Sequence, residues 1–167
     1  MPLPKAVQES AYKQTGRLLD FVDGQGEERL LAIDARTGEF IVDNFNRDGD
    51  MYRTGFIGSE KTIIEKCNNN IVLIHNHSLN GRPSGQDLLS FLHLDKVQMS
   101  IIACHDGTLF AITHVSPLFE KVYNKFIEDY KHDVQDIQIV KRLAMTDAEL
   151  YNDKLGKKQK LYIIRRF

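Results

Sequence analysis

The 167-residue chain has only two cysteines and no long apolar run. Cys67 and Cys104 are too few for a disulfide scaffold. The first residues, MPLPKAVQES, lack the apolar core of a signal peptide, so we expect a protein of the reducing cytoplasm. A membrane helix needs about 20 apolar residues. The longest uninterrupted apolar runs, such as residues 71–74 (IVLI), are far shorter than this, so we expect no membrane segment.

A large net charge is also missing. Lys and Arg number 22 against 23 Asp and Glu, and a formal net charge of -1 argues against a dedicated duplex-DNA binder. The length predicts a single domain over residues 1–167, with 42% hydrophobic and 27% charged residues as in ordinary globular proteins. A complete (β/α)₈ barrel is excluded, because it needs roughly 200 residues or more.

Hydrophobic periodicity predicts an α/β fold, with a mixed, mostly antiparallel sheet flanked by helices. The continuously apolar residues 71–74 are typical of a strand that is buried on both faces, and residues 75–83 are predicted to be a polar loop. The predicted strands are residues 28–34, 39–42, 51–57, 71–74, 99–104 and 108–113. The predicted helices are residues 5–21, 59–67 with Ser59 as N-cap, one after Ser84, one from Pro117, 134–143 and 147–155.

Two histidines follow the apolar strand. His75 and His77 lie two residues apart, so on an extended segment their side chains point the same way. Asp87 lies three residues after Ser84, the predicted start of a helix, and its carboxylate can turn back toward the strand end. Two imidazoles and one carboxylate predict a Zn²⁺ site with an open fourth position, which is typical of catalytic zinc.

A water molecule at such a site needs a carboxylate that accepts its proton. Glu27 and Glu28 stand at the start of a predicted strand. On an extended segment they point to opposite sides, so only one of the two can face the metal.

These residues resemble the motif of the JAMM/JAB (MPN-type) zinc metalloprotease family. That family carries an upstream Glu, then His-x-His-Pro, a short loop and Ser-x-x-Asp, and it includes deubiquitinating isopeptidases and bacterial RadC-like proteins. His75-Asn76-His77 matches the histidine pair, with the middle Asn of the RadC-like branch. Residues 84–87 (SGQD) match Ser-x-x-Asp, and Glu28 resembles the upstream Glu.

The sequence departs from the family motif in two places. Ser78 stands where the family usually has Pro, and Ser84 follows His77 by seven positions, one fewer than usual. The resemblance covers about residues 28–113. A helix before this core and a helical extension after it lie outside the resemblance.

The resemblance implies a JAB/MPN (cytidine-deaminase-like) architecture. It also implies hydrolysis of a peptide or isopeptide bond, for example in a ubiquitin-like or other protein conjugate. In this reading His75, His77 and Asp87 bind zinc, Glu28 is the general base and Ser84 helps to hold the oxyanion. Two alternatives stay open: a RadC-like protein that contacts nucleic acid through its basic tail, or a catalytically silent JAB scaffold.

Each of these residues also has a structural interpretation. Ser84 and Asp87 could form an ordinary helix cap, and a His-x-His pair in a loop is commonly solvated. We expect Cys104 to be a core thiol and His105 to be part of the turn at residues 106–107, rather than extra ligands. The tail combines bases with apolar side chains, so we expect it to pack on the domain or on a second copy of the chain.

Overall fold

A computed structural model describes residues 3–23, 26–50 and 54–167. Its α-helices are α1 (Lys5–Phe21), α2 (Gly58–Glu65), α3 (Gly85–His93), α4 (Pro117–Lys131) and α5 (Ile137–Asp153). Its strands are β1 (Leu30–Asp34), β2 (Phe40–Asp43), β3 (Ile71–His77), β4 (Val97–Cys104), β5 (Leu109–Val115) and β6 (Tyr162–Arg166). Within these ranges no helix is long and apolar enough to cross a membrane.

The strands of the described residues form one six-stranded sheet in the order β2-β1-β3-β4-β5-β6. Strand β1 pairs antiparallel with β2 and with β3, whereas β3 and β4 are parallel. The predicted α/β fold with a mixed sheet flanked by helices is therefore confirmed. Strand β3 has a neighbouring strand on each side, and all seven of its residues are buried.

The chain divides into two compact units. The first comprises Met1–Arg82, Lys96–Ala111 and Arg166–Phe167. Its core forms where α1 packs on β1 and β3, and the buried face of α1 repeats every three or four residues. Burial of each aliphatic side chain contributes about 1.5–3 kcal/mol, so this face holds the helix despite Gly16 in its middle. The core contains Leu3, Val7, Ala11, Leu18, Val22, Leu31, Ile33, Ala35, Val72, Ile74, Met99, Ile101 and Ala111.

The turn between β1 and β2 supports α1. Gly38 has a φ of +80°, a conformation that glycine adopts without strain. A side chain at this position would lie 3.0 Å from the Ala6 carbonyl oxygen and 3.2 Å from the Val7 Cα. Glycine thus allows the turn to approach the helix backbone, where the Ser10 hydroxyl donates a 2.5 Å hydrogen bond to the Gly38 carbonyl.

The second unit, Pro83–Asp95 and Ile112–Arg165, is built around α4 and α5. Phe119 is fully buried and contacts Tyr123 in a stacked pair and Tyr162 in an edge-to-face pair. Asn152 accepts a 2.7 Å hydrogen bond from the Leu161 N–H and donates one of 3.1 Å to the Tyr162 carbonyl. Leu161 and Tyr162 are buried, so the prediction that the tail packs on the chain is confirmed.

Several predicted boundaries are wrong. Strand β3 continues through His77, because its parallel neighbour β4 offers partners as far as Cys104. Helix α5 is a single helix where two were predicted, since the residues between them include no proline or glycine that would end it. Helix α2 begins at Gly58, after an N-cap at Ile57 rather than Ser59, and the Glu60 carboxylate accepts from the Ile57 N–H at 3.2 Å.

The strand predicted for residues 51–57 is not found in its described part. Residues 54–57 form neither helix nor strand up to the start of α2, and residues 51–53 lie outside the described residues. Strand β1 begins at Leu30 rather than at residue 28, although Glu28 forms an isolated antiparallel bridge with Asp50.

Two glycine substitutions should have opposite effects on stability. A Cβ at Gly85 would lie 2.6 Å from Cε2 of Tyr123, so Gly85→Ala should lower the free energy of unfolding by about 1–3 kcal/mol through overpacking. Gly16 in α1 has no atom within 4 Å of such a Cβ, so Gly16→Ala should raise it by about 0.5–1 kcal/mol. Urea denaturation measures both, and a stabilised Gly85→Ala variant would contradict the packing of Tyr123 described above.

Candidate metal centre

The last three residues of β3 are His75, Asn76 and His77. His75 and His77 are 6% and 9% exposed, so both imidazoles lie within the folded chain rather than in a solvated loop. Their ring centroids are 5.2 Å apart, as expected for side chains two residues apart on a strand. The strand therefore presents two imidazoles at one place.

A backbone carbonyl fixes the orientation of one imidazole. The Nδ1 atom of His77 lies 2.8 Å from the Gly81 carbonyl oxygen. A carbonyl oxygen can only accept, so Nδ1 carries the hydrogen and the lone pair of the neutral ring is on Nε2. Metal-binding histidines commonly donate their second ring N–H in this way, which orients the ring and raises its basicity.

Cys104 shares the same carbonyl. It pairs with His77 in the β3–β4 register, and its Sγ lies 3.7 Å from the Gly81 oxygen. Burial raises the pKa of the Cys104 thiol to about 11, and the nearby charge of Asp106 adds to this effect. The thiol is thus protonated at neutral pH and acts as a donor, which confirms the expectation of a core thiol.

His105 belongs to the turn after β4, as expected. Its backbone N–H donates to the Asn80 side chain at 2.6 Å, and Gly107 provides a φ of +90°. Its side chain approaches β3, because Nε2 lies 3.4 Å from Nδ2 of Asn76. An amide nitrogen can only donate, so His105 is the acceptor in this contact.

Ser84 and Asp87 form a capping box at the start of α3. The Ser84 hydroxyl accepts from the Asp87 N–H at 3.2 Å, and Oδ2 of Asp87 accepts from the Ser84 N–H at 2.7 Å and its hydroxyl at 2.9 Å. The helix-cap interpretation is therefore confirmed. It is compatible with metal binding, because Oδ1 of Asp87 takes no part in the capping box.

Tyr123 supports this helix start from within the same unit. Its ring packs where a side chain on Gly85 would lie, so only glycine fits between Ser84 and the rest of the SGQD segment. Burial raises the pKa of Tyr123 to about 12, and the negative charge of Asp87 contributes to the shift. A neutral phenol is thus maintained beside the Asp87 carboxylate.

The two candidate bases have different surroundings. Oε2 of Glu27 lies 2.5 Å from Nη2 of Arg29, whose side chain is only 6% exposed. Glu28 is 9% exposed, and its N–H donates to the Asp50 carbonyl at 2.7 Å. The Glu27 carboxylate is thus engaged in an ion pair with a buried guanidinium.

His75, His77 and Asp87 form a group that could hold a metal ion. Each offers one ligand atom: a ring nitrogen from each histidine and a carboxylate oxygen from Asp87. Within the described residues this group includes neither Cys104 nor Glu28.

Sequence reasoning did not find the roles of Gly81 and Asn76. Gly81 acts through its backbone carbonyl, for which a sequence carries no signal. Asn76 does carry one, because an amide between two buried histidines must find partners. It accepts from the Arg29 N–H and donates to the Glu27 carbonyl, both at 2.7 Å.

No family model, curated protein or solved structure matches the chain. The resemblance to the JAMM/JAB family thus depends on the motif residues themselves.

The two cysteines should differ in reactivity toward a thiol reagent. Cys67 is partly exposed, whereas Cys104 is buried and its thiol pKa is about 11. At pH 8, one thiol of the native protein should react quickly and the second only after denaturation. The variant Cys67→Ser should show almost no native labelling, and labelling of Cys104 should accelerate as the pH approaches 11. Equal rates for both native thiols would contradict the burial of Cys104.

Proposed function

We propose that this protein is a zinc-dependent hydrolase of peptide or isopeptide bonds with a JAB/MPN-type architecture. The observation that carries the proposal is the pair of buried imidazoles at the end of β3, to which Asp87 at the start of α3 would add the third ligand of a catalytic zinc site. The resemblance of Glu28, the histidine pair and residues 84–87 to the JAMM/JAB motif supports the same function.

The donor set fits zinc. Two imidazole nitrogens and one carboxylate oxygen are ligands that Zn²⁺ accepts, and a three-residue set leaves one position for water or substrate. The Gly81 carbonyl supports the fit. It accepts the hydrogen of His77 Nδ1, so the lone pair of Nε2 is left to bind a metal ion. In the proposed site His75, His77 and Asp87 would hold the ion.

Zinc bound there would lower the pKa of a water molecule in the open position toward about 7 and polarise the carbonyl of the scissile bond. Glu28 would accept the proton of the attacking water and return it to the leaving nitrogen. Ser84 would donate a hydrogen bond to the developing oxyanion. Its hydroxyl now donates to Asp87, so this role requires a rotation of the Ser84 side chain.

The basic tail has a structural explanation that involves no nucleic acid. Arg165 and Arg166 lie in β6, which is the last strand in the order of the sheet that the described residues form. Charged side chains on edge strands prevent pairing with other chains. We therefore favour a peptide or protein-conjugate substrate over nucleic acid, and salt-sensitive DNA binding would support the alternative.

The purified protein should contain one zinc ion per chain. His77→Ala removes a ligand and should abolish the metal, whereas His114→Ala changes an exposed histidine outside the group and should leave it in place. Elemental analysis of protein purified without chelator, before and after reconstitution with zinc, measures the content. A wild-type protein that stays free of metal after reconstitution would contradict the proposal.

Glu28→Gln should separate catalysis from metal binding. The variant keeps the three ligands and the size of residue 28, so zinc should be retained while kcat falls by roughly 10²–10⁴-fold. The matched variant Glu27→Gln should keep most of the activity. It removes the carboxylate that pairs with Arg29 and leaves the proposed base, Glu28, unchanged. The assay uses a panel of peptides and ubiquitin-like conjugates.

The outcomes of this assay separate the candidate functions. Loss of activity in Glu27→Gln but not in Glu28→Gln would assign the base to the other glutamate. Full activity in both variants would contradict the mechanism. A wild type that binds zinc and hydrolyses no member of the panel would support the catalytically silent scaffold instead.

A further inference from the structure

We propose that Asn76, the middle residue of the His-x-His segment, is a positioning residue that holds Glu28 beside the two histidines. The inference rests on the proposed function, because that function gives Glu28 its role as the base. It concerns the first unit alone, where Asn76, Glu28 and their partners lie.

The Asn76 amide bonds the two peptide groups that flank Glu28. Its Oδ1 accepts from the Arg29 N–H at 2.7 Å, and its Nδ2 donates to the Glu27 carbonyl at 2.7 Å. The Glu27 carbonyl belongs to the peptide bond before Glu28, and the Arg29 N–H belongs to the one after it. One side chain thus fixes the backbone on both sides of the candidate base.

The β1–β3 ladder does not perform this task itself. Its paired part ends where Leu30 lies opposite His75, and β1 begins at Leu30. Beyond that point the Asn76 side chain provides the connection between β3 and residues 27–29. On the other side of the same segment, the Glu28 N–H donates to the Asp50 carbonyl. Glu28 is therefore held from both directions.

Only an amide of this length satisfies the arrangement. Asn76 is fully buried, so each of its polar atoms needs a partner. Its oxygen is occupied by Arg29, and its nitrogen faces the Glu27 carbonyl and, at 3.4 Å, Nε2 of His105. A carboxylate could accept from Arg29 but could not donate to Glu27. An apolar residue would remove both hydrogen bonds and leave the buried Arg29 N–H without this acceptor.

A second buried asparagine provides a matched control. Asn44 is 2% exposed, and its Oδ1 accepts from the Leu30 N–H at 2.9 Å while its Nδ2 donates to Thr54 and the Gly55 carbonyl. Like Asn76, it uses both amide atoms for hydrogen bonds, but its oxygen accepts from Leu30 rather than from Arg29. It does not bond the peptide groups on either side of Glu28. Replacing it removes comparable hydrogen bonds without releasing Glu28.

The experiment compares Asn76→Ala with Asn44→Ala in the full-length protein loaded with zinc. Amide hydrogen exchange, followed by NMR, should show the Arg29 N–H exchanging at least tenfold faster in Asn76→Ala and unchanged in Asn44→Ala. Zinc content should be equal in both. With a substrate from the panel, kcat should fall at least tenfold in Asn76→Ala with little change in KM, while Asn44→Ala keeps the wild-type kcat.

Asn76→Asp covers the case in which Asn76→Ala fails to fold. This variant is isosteric and keeps the acceptor for Arg29, but it loses the donor to Glu27. Its Arg29 N–H should stay protected while kcat falls at least tenfold. A wild-type kcat in Asn76→Asp would overturn the proposal. Unchanged Arg29 exchange in Asn76→Ala, or an equal loss of kcat in Asn44→Ala, would overturn it as well.

The exchange measurement needs no substrate, so it separates the two proposals. If the wild type hydrolyses nothing but Arg29 protection depends on Asn76, the proposed hydrolase is wrong and the positioning of Glu28 stands. If the wild type is active and Arg29 protection does not depend on Asn76, the hydrolase stands and the positioning is wrong.

Discussion

Every residue of β3, from Ile71 to His77, is buried, and the strand pairs with β1 on one side and β4 on the other. Burial of the apolar residues at the first four positions stabilises the fold. The last three residues are polar, and they need hydrogen-bond partners to replace the water molecules that they lose on burial. His77 finds the Gly81 carbonyl, and Asn76 finds the peptide groups of residues 27–29. The hydrogen bonds that make this burial tolerable also orient the candidate site.

Those hydrogen bonds connect segments that are far apart in sequence. The Asn76 contacts span 47 and 49 positions, and the Cys104 contact with Gly81 spans 23. The loop after His77 is likewise held on two sides, because Gly81 accepts from His77 and Asn80 accepts from the His105 N–H. These hydrogen bonds hold the candidate ligands in place before an ion or substrate binds, which lowers the entropy cost of binding.

Much of the fold could be predicted from local pattern. Helix α1 and the N-cap at Ser84 fall at the predicted residues, since apolar periodicity and capping act within one turn of helix. The end of β3 could not be predicted in the same way, because it depends on the length of a parallel neighbour. The continuity of α5 did have a local signal, since residues 144–146 contain neither proline nor glycine.

For the candidate site, the sequence by itself determined which side chains are present and their spacing: two histidines on alternate positions and a Ser-x-x-Asp helix start. The two-residue spacing of Glu27 and Arg29 allows their ion pair, but only the tertiary structure buries the Arg29 side chain, which is 6% exposed. Tertiary structure also decided the role of Asn76. A side-chain amide bonds whichever backbone groups the neighbouring strand leaves unpaired, and that choice is set by sheet register, which no short stretch of sequence encodes.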